Sequence, residues 1–225
     1  MNKKNNAKIS EVFVSLVIPL ILIPLGLFSA LYFGHGITNL IMGLAFLICA
    51  IKSANPNEKK MMLILTIFAL IFEEVNVLSG AYVYSNTKLV PIWVGLGWSI
   101  LGLYIHKNSK NFAHINDKLV YGVAFLIYVS IWLLYGAQIS QLTNLALAIS
   151  TIFLLSKIDK NAAHHFFASL MGMVIEFSGT SLGVWTYFDE AGKPIAVPLL
   201  TLSMAYAAVI AFCFWISERA KIAEE

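Results

Sequence analysis

Three carboxylic acids, Glu73, Glu74 and Glu176, stand inside long apolar stretches of this chain. An acid at the centre of a membrane helix costs roughly 2.5–3.5 kcal/mol, so its presence there calls for a reason. No Lys or Arg shares those stretches. A carboxyl in a low-dielectric medium without a cation beside it favours its neutral, protonated form. A protonated acid is a proton donor, as general acid catalysis requires. An isolated acid can also serve as a hydrogen-bonding group between helices. Two acids at matched positions, with a third adjoining one of them, favour chemistry.

The match comes from spacing. Glu73 is followed by Gly80, Tyr82, Tyr84 and Pro91, and Glu176 by Gly183, Trp185, Tyr187 and Pro194, at the same four offsets. Ile92 and Ile195 follow the prolines. Upstream, Thr38-Asn39-Leu40 is repeated as Thr143-Asn144-Leu145, and each stretch closes on a lysine, Lys52 or Lys157. Aromatic rings belt membrane interfaces for purely physical reasons. Placed at one site, their faces also stabilise a positive charge. Acids that protonate, beside rings that shelter a cation, suit carbocation chemistry on an alkene. The candidate acids are therefore Glu73, Glu74 and Glu176, with Glu74 modulating its neighbour. Asn39 and Asn144 are expected to orient the acids, and Asn76, Tyr82, Tyr84, Trp98, Trp185 and Tyr187 to line the substrate.

The elements that must position these groups are membrane helices. The chain is 59% hydrophobic and only 12% charged, against about 25% charged in a soluble domain. Apolar stretches near the length that spans hydrocarbon, about 17–25 residues, fall at about 12–33, 37–52, 61–79, 90–106, 119–136, 141–156, 162–180 and 196–217. With the N-terminus cytoplasmic, the inner side receives Lys3, Lys4, Lys8, Lys52, Lys59, Lys60, Lys107, Lys110, Lys118, Lys157, Lys160, Arg219 and Lys221. The outer side receives only Lys88 and Lys193. Cations are retained on the cytoplasmic side, so the asymmetry supports both the span count and its direction. The first stretch lacks the small-residue cleavage pattern of a signal peptide.

The expected fold is all-α: a single polytopic membrane domain of eight transmembrane helices, built as two parallel four-helix repeats over about 12–106 and 119–217. Parallel repeats are related by an axis along the membrane normal. Both termini lie on the cytoplasmic side of a bacterial or archaeal cytoplasmic membrane, with the acids in its outer half. Cys49 and Cys213 fall in spans without metal-ligand spacing and read as apolar thiols. His164 and His165 start an inner helix end, His106 and His114 fall in an inner loop, and only His35 is near the outer cluster. No metalloprotease, phosphate-loop or nucleophile-elbow motif occurs. No cofactor is expected, no metal site, and no nucleic-acid partner. The partners expected are the bilayer and a hydrophobic small molecule.

Glu73, Gly80, Tyr82, Tyr84, Pro91 and Trp98, with Glu176, Gly183, Trp185, Tyr187, Pro194 and Pro198 as a looser second copy, resemble the pattern of the membrane-bound carotenoid hydratases of carotenoid biosynthesis. The acid-plus-aromatic arrangement also resembles the small membrane-integral terpene cyclases. Glu73-Glu74 is similar to the paired acids of membrane lycopene cyclases, although Ile71 and Phe72 stand where a proline would precede them. These resemblances cover about a third of the chain. They imply an enzyme that protonates an isoprenoid double bond, followed by hydration, cyclisation or isomerisation. A small proton-coupled transporter with a pseudo-two-fold glutamate site is the rival expectation, and an assembly protein without a small-molecule site a third.

Overall fold

The computed structural model describes residues 18–112, 115–134, 142–159, 162–188, 192–195, 205–212 and 215. The chain is mostly helical. Its helices are α1 (Ile18–Lys52), α2 (Pro56–Leu78), α3 (Ile92–Phe112), α4 (Asp117–Leu134), α5 (Leu142–Asp159) and α6 (Ala162–Ser181), with further helical residues at 205–212. It is not purely α. Three short strands, β1 (Tyr82–Tyr84), β2 (Trp185–Phe188) and β3 (Pro194–Ile195), form an antiparallel sheet in the order β1-β2-β3. Tyr-Val-Tyr and Trp-Thr-Tyr-Phe are aromatic and β-branched residues in two-residue alternation, which fits a half-buried strand. An interface role for the aromatics alone had concealed that period.

Two helices, Ile21–Lys52 and Pro56–Leu78, are long and apolar enough to cross a membrane, and only 22% and 28% of their most apolar windows are buried. Apolar helices so little buried allow association with a membrane. The eight separate spans expected from the sequence are not what the described residues form. The stretches 12–33 and 37–52 lie in the single element α1, on either side of the non-helical Gly34, and the last, 196–217, is described only over 205–212 and 215.

α1 nevertheless contains a reversal. Gly34 has φ 78° and ψ 169°, a non-helical conformation inside the element. Thr38 Oγ1 donates to Ser29 Oγ at 2.9 Å, and Met42 Sδ lies 3.2 Å from where a Cβ on Gly26 would be. Residues nine apart on a straight helix are separated by about 13 Å. The chain therefore turns back at Gly34, the residue where the two expected stretches part. Pro24 lies within the first leg and does not cause the turn.

The chain divides into two compact units. The first contains residues 1–107, 178–197 and 213–225, the second residues 108–177 and 198–212. This division does not follow the sequence repeat, because β2 and β3 pair with β1 and so belong to the first unit. In the second unit, α4, α5 and α6 close a core on Ala124, Tyr128, Leu145, Ile152 and Met173. The Tyr128 hydroxyl hydrogen-bonds Ser169 Oγ there, and the Tyr121 hydroxyl Ser156 Oγ.

In the first unit, α2 begins with a full capping box. Asn55 Oδ1 accepts from Glu58 N at 2.9 Å, and Glu58 Oε2 accepts from Asn55 N at 2.8 Å, satisfying two otherwise orphan donors. The Glu58 carboxylate also meets Lys107 Nζ at 3.3 Å and His106 Nε2 at 3.6 Å. α3 lies against α2 along a seam of small residues, Gly95, Ser99 and Gly102. A Cβ on Gly95 would stand 2.8 Å from the Thr66 carbonyl oxygen, and one on Gly102 would stand 2.3 Å from Leu65 Cδ2. Ser99 Oγ reaches the Met62 carbonyl oxygen at 2.6 Å. Small residues let helix backbones approach closely where lipid supplies no hydrophobic drive. Overpacking such a seam costs about 1–3 kcal/mol. Gly95→Ala is expected to lower the thermal midpoint in detergent, whereas Gly122→Ala, where an added Cβ meets nothing within 4 Å, is expected not to. Equal midpoints for the two variants would contradict the seam.

Candidate functional site

The site is built where α2 ends. Ser79 caps the helix, and Gly80, at φ 78°, takes the left-handed conformation that lets the chain turn sharply. Gly80 N donates to Val77 O at 3.0 Å and Ala81 N to Asn76 O at 3.1 Å. The end of α6 is made in the same way. Gly183 has φ 70°, Gly183 N donates to Thr180 O at 3.0 Å, and Val184 N donates to Gly179 O at 2.9 Å. Each turn releases the chain directly into an aromatic strand.

The two strands pair with Tyr82 opposite Tyr187, Val83 opposite Thr186 and Tyr84 opposite Trp185. Flanking bonds run from Ser85 N to Val184 O at 2.9 Å and from Phe188 N to Ala81 O at 3.2 Å. Under the sequence repeat, Ser85 corresponds to Phe188 and Ala81 to Val184, so these two bonds exchange with one another about the Val83–Thr186 pair. Alternation puts Tyr82, Tyr84, Trp185 and Tyr187 on one buried face and leaves Val83 exposed. Ring centroids are 5.0 Å apart for Tyr82–Tyr187, 5.8 Å for Tyr84–Trp185 and 5.7 Å for Tyr82–Tyr84, all inclined rather than stacked. Tilted and edge-on aromatic pairs at these spacings are favourable.

Glu73 lies against this face, 6% exposed. Its Oε2 accepts from the Tyr82 hydroxyl and, at 3.1 Å, from the Tyr84 hydroxyl. Its Oε1 accepts from Trp98 Nε1 at 2.9 Å. An indole N–H can only donate, whereas a phenol hydroxyl can donate or accept. Oε1 is therefore committed as an acceptor. Oε2 can either receive both hydroxyls or carry a proton and donate it to one of them. The arrangement allows a proton to pass between the carboxyl and a tyrosine oxygen.

The other expected site residues lie as follows. Glu74, next to Glu73, accepts from Val90 N at 3.0 Å and so tethers the segment between β1 and α3. Asn39 Oδ1 accepts from Trp93 N at 2.8 Å, which ties the first turn of α3 to α1. Asn76 Nδ2 returns to Phe72 O at 2.8 Å on its own helix. Glu176 belongs to the second unit, where its Oε1 accepts from the Tyr206 hydroxyl at 2.8 Å. The side chain of Asn144, and Cys213, His114 and Pro198, lie outside the described residues. Glu73, Tyr82, Tyr84, Trp98, Trp185 and Tyr187 are brought together in the first unit.

Two further groups emerge from the geometry. Tyr206 reaches Glu176 because its ring lies on Gly172, one helical turn earlier, where a Cβ would stand 2.3 Å from the ring. A small residue four positions before a buried acid was the available signal. His35 bridges three segments: Nε2 contacts Ser85 O at 2.5 Å, and Trp93 Nε1 donates to Nδ1 at 3.1 Å. Since the indole can only donate, Nδ1 is the acceptor and Nε2 carries the proton. His164 and His165 are buried and stacked on one another in the second unit. Among the described residues, no group of three or more His, Cys, Asp or Glu side chains is placed to hold a metal ion.

Compared with protein-family models, curated proteins and solved structures, the chain matches none of them.

Removing one partner of a buried hydrogen bond to a carboxyl costs about 1–3 kcal/mol. Trp98→Phe is expected to destabilise the protein by that amount, and by much less when Glu73 is already replaced by Leu, since contacting residues couple in a double-mutant cycle. Equal losses in both backgrounds, measured by denaturant or thermal unfolding in detergent, would separate Trp98 from the carboxyl.

Proposed function

We propose that this protein is a membrane-integral enzyme that protonates a carbon–carbon double bond of an isoprenoid lipid, with Glu73 as the proton donor. The observation that carries this reading is the meeting of a buried carboxyl with the buried aromatic face of the β1–β2 pair. The acid supplies the proton, and the rings supply electron-rich surfaces for the cation that forms. In the protonation step the alkene π bond breaks, a C–H bond forms with the Glu73 proton, and positive charge develops on the neighbouring carbon. Tyr82 and Tyr84 hold Oε2 in place and offer a route for restoring its proton, while Trp98 fixes Oε1. Loss of a proton from carbon then completes isomerisation, capture of water and loss of its proton completes hydration, and attack by a second double bond followed by proton loss from the new cation completes cyclisation, the Glu73 carboxylate being left to take the proton back.

The setting proposed is a bilayer crossed by eight spans in two parallel repeats, with both termini cytoplasmic and the site in the outer half. The distribution of Lys and Arg supports this setting. So does the apolar surface, on which Ile21, Leu25, Leu40, Leu44, Ile51, Ile71, Leu78, Leu126 and Leu154 are all exposed. An exposed apolar surface of that extent needs a nonaqueous neighbour. The exchange-symmetric bonding of β1 with β2, and the matched glycine turns before them, support the repeat.

The test compares lipid extracts from cells expressing wild type or Glu73→Gln and supplied with linear polyprenoid and carotenoid precursors. Wild type is expected to yield a product of unchanged mass and altered retention, or one heavier by a single water, and Glu73→Gln to yield none. Product formation by Glu73→Gln would remove Glu73 from the role. Identical extracts from both, with solute uptake by wild-type proteoliposomes instead, would point to a proton-coupled carrier using the same carboxyl.

A further inference from the structure

The contacts of His35 suit a single protonation state of its ring. The Trp93 indole, which can only donate, directs its N–H to Nδ1 at 3.1 Å. The Ser85 carbonyl, which can only accept, lies 2.5 Å from Nε2. A neutral imidazole with its proton on Nε2 satisfies both. The other neutral tautomer would set N–H against N–H at Trp93 and a lone pair against the carbonyl at Ser85. An imidazolium carries a proton on each nitrogen, so it keeps the Ser85 bond and loses the Trp93 bond. Trp93 is 6% exposed. Deprived of Nδ1, its N–H becomes a buried donor without an acceptor, which is costly, and the indole must move to find one.

No other contact of the ring offsets that loss. A cation is attracted to an indole when it sits over the ring face within about 6 Å of the centroid. Here the ring planes are inclined by 15° with centroids 6.4 Å apart, and the two nitrogens touch. The rings therefore meet edge to edge, where an aromatic rim is positive. The ionisable side chains on the elements around His35 are Tyr32 in α1, Glu73 and Glu74 at the end of α2, Tyr82 and Tyr84 in β1, Tyr187 in β2, Lys193 beside β3, and Lys88 between β1 and α3. From Ile92 to Leu103, α3 has none. Glu73 is engaged by Tyr82, Tyr84 and Trp98, and Glu74 by Val90 N. Among the described residues, the hydrogen bonds of His35 are those with Ser85 and Trp93, and no carboxylate pairs with it.

We propose that His35 is an acid-operated latch between α1 and α3. With the ring neutral, it joins the turn of α1 both to the end of β1 and to the first turn of α3. On protonation its hold on Ser85 strengthens, because a charged donor makes a hydrogen bond roughly twice as strong as a neutral one. Trp93 is released at the same time, and Asn39 Oδ1 alone, through Trp93 N, ties that turn of α3 to α1. Ser85 N bonds Val184 O, so the β1–β2 pair stays fastened while the start of α3 gains freedom. Imidazole is the side chain whose ordinary charge change falls between about pH 5 and 8. The latch is closed at the alkaline end of that range and opens as the pH falls. It depends neither on Glu73 acting as an acid nor on any ligand.

The test uses full-length protein in detergent micelles, labelled with nitrogen-15 in its tryptophan indoles, with Trp93→Phe identifying the Trp93 signal. Between about pH 8 and about pH 5, the Trp93 N–H signal is expected to shift and to begin exchanging magnetisation with water. In His35→Gln, whose side chain does not titrate, the signal is expected to hold one position throughout. Thermal unfolding gives a second reading that needs no histidine variant: Trp93→Phe is expected to lower the midpoint more at the higher pH than at the lower. A Trp93 signal that stays in place across the range overturns the proposal. So does the same shift in His35→Gln, or an equal cost of Trp93→Phe at the two pH values. The response is expected to survive in Glu73→Gln; its loss there would assign it to the carboxyl and overturn the latch, whether or not that variant still forms product.

Discussion

A carboxyl group removed from water must be surrounded by hydrogen-bond donors, and much of the first unit is arranged around meeting that demand for Glu73. Trp98 comes from α3, and Tyr82 and Tyr84 come from the strand that follows α2. For Trp98 to arrive, α3 must lie close to α2, which the Gly95–Ser99–Gly102 seam permits. For both tyrosines to point back at the end of the helix, the chain must reverse within a few residues of Glu73, which the left-handed Gly80 provides. Their alternation then needs an extended strand, and a three-residue strand needs a partner. β2 supplies it.

The same reasoning accounts for residues whose chemistry looked functional and whose observed contacts are architectural. Glu74 holds the backbone of Val90, Asn39 holds the first turn of α3, and His35 joins the reversal in α1 to Ser85 and Trp93. Together they pin the segment from β1 to α3 at both ends. The proposed proton donor would have to be held within a fraction of an ångström of productive geometry, and three polar groups outside the aromatic face fasten the segment that follows it.

The periodic offsets after Glu73 and Glu176 made the aromatic residues legible as a set, and the same offsets place Gly80 and Gly183 at equivalent turns. Five of the apolar stretches coincide to within a few residues with α2 to α6, two share the single element α1, and the last is described only in part. What hydropathy did not reveal was local. A Tyr-Val-Tyr stretch is too short to announce a strand among membrane-interface aromatics, and pairing between segments about a hundred residues apart leaves no periodic trace. The sequence marks Glu74 as a candidate acid beside Glu73 and Asn39 as a group to orient the acids, because polar side chains in apolar surroundings draw attention to one another. Their actual partners are backbone N–H groups, which no side-chain pattern marks. The Tyr206 contact to Glu176 depends on the absence of a side chain at Gly172, a signal carried by one glycine within a helix.

Carbon protonation leaves an isotopic record. Purified wild-type protein, given its isoprenoid substrate in deuterated water, is predicted to form a product carrying carbon-bound deuterium from the solvent, introduced once per turnover through the exchanged Glu73 carboxyl, with Glu73→Gln forming none. A product made at the wild-type rate without carbon-bound deuterium would contradict the account, because the double bond would then have reacted without receiving a proton from the protein.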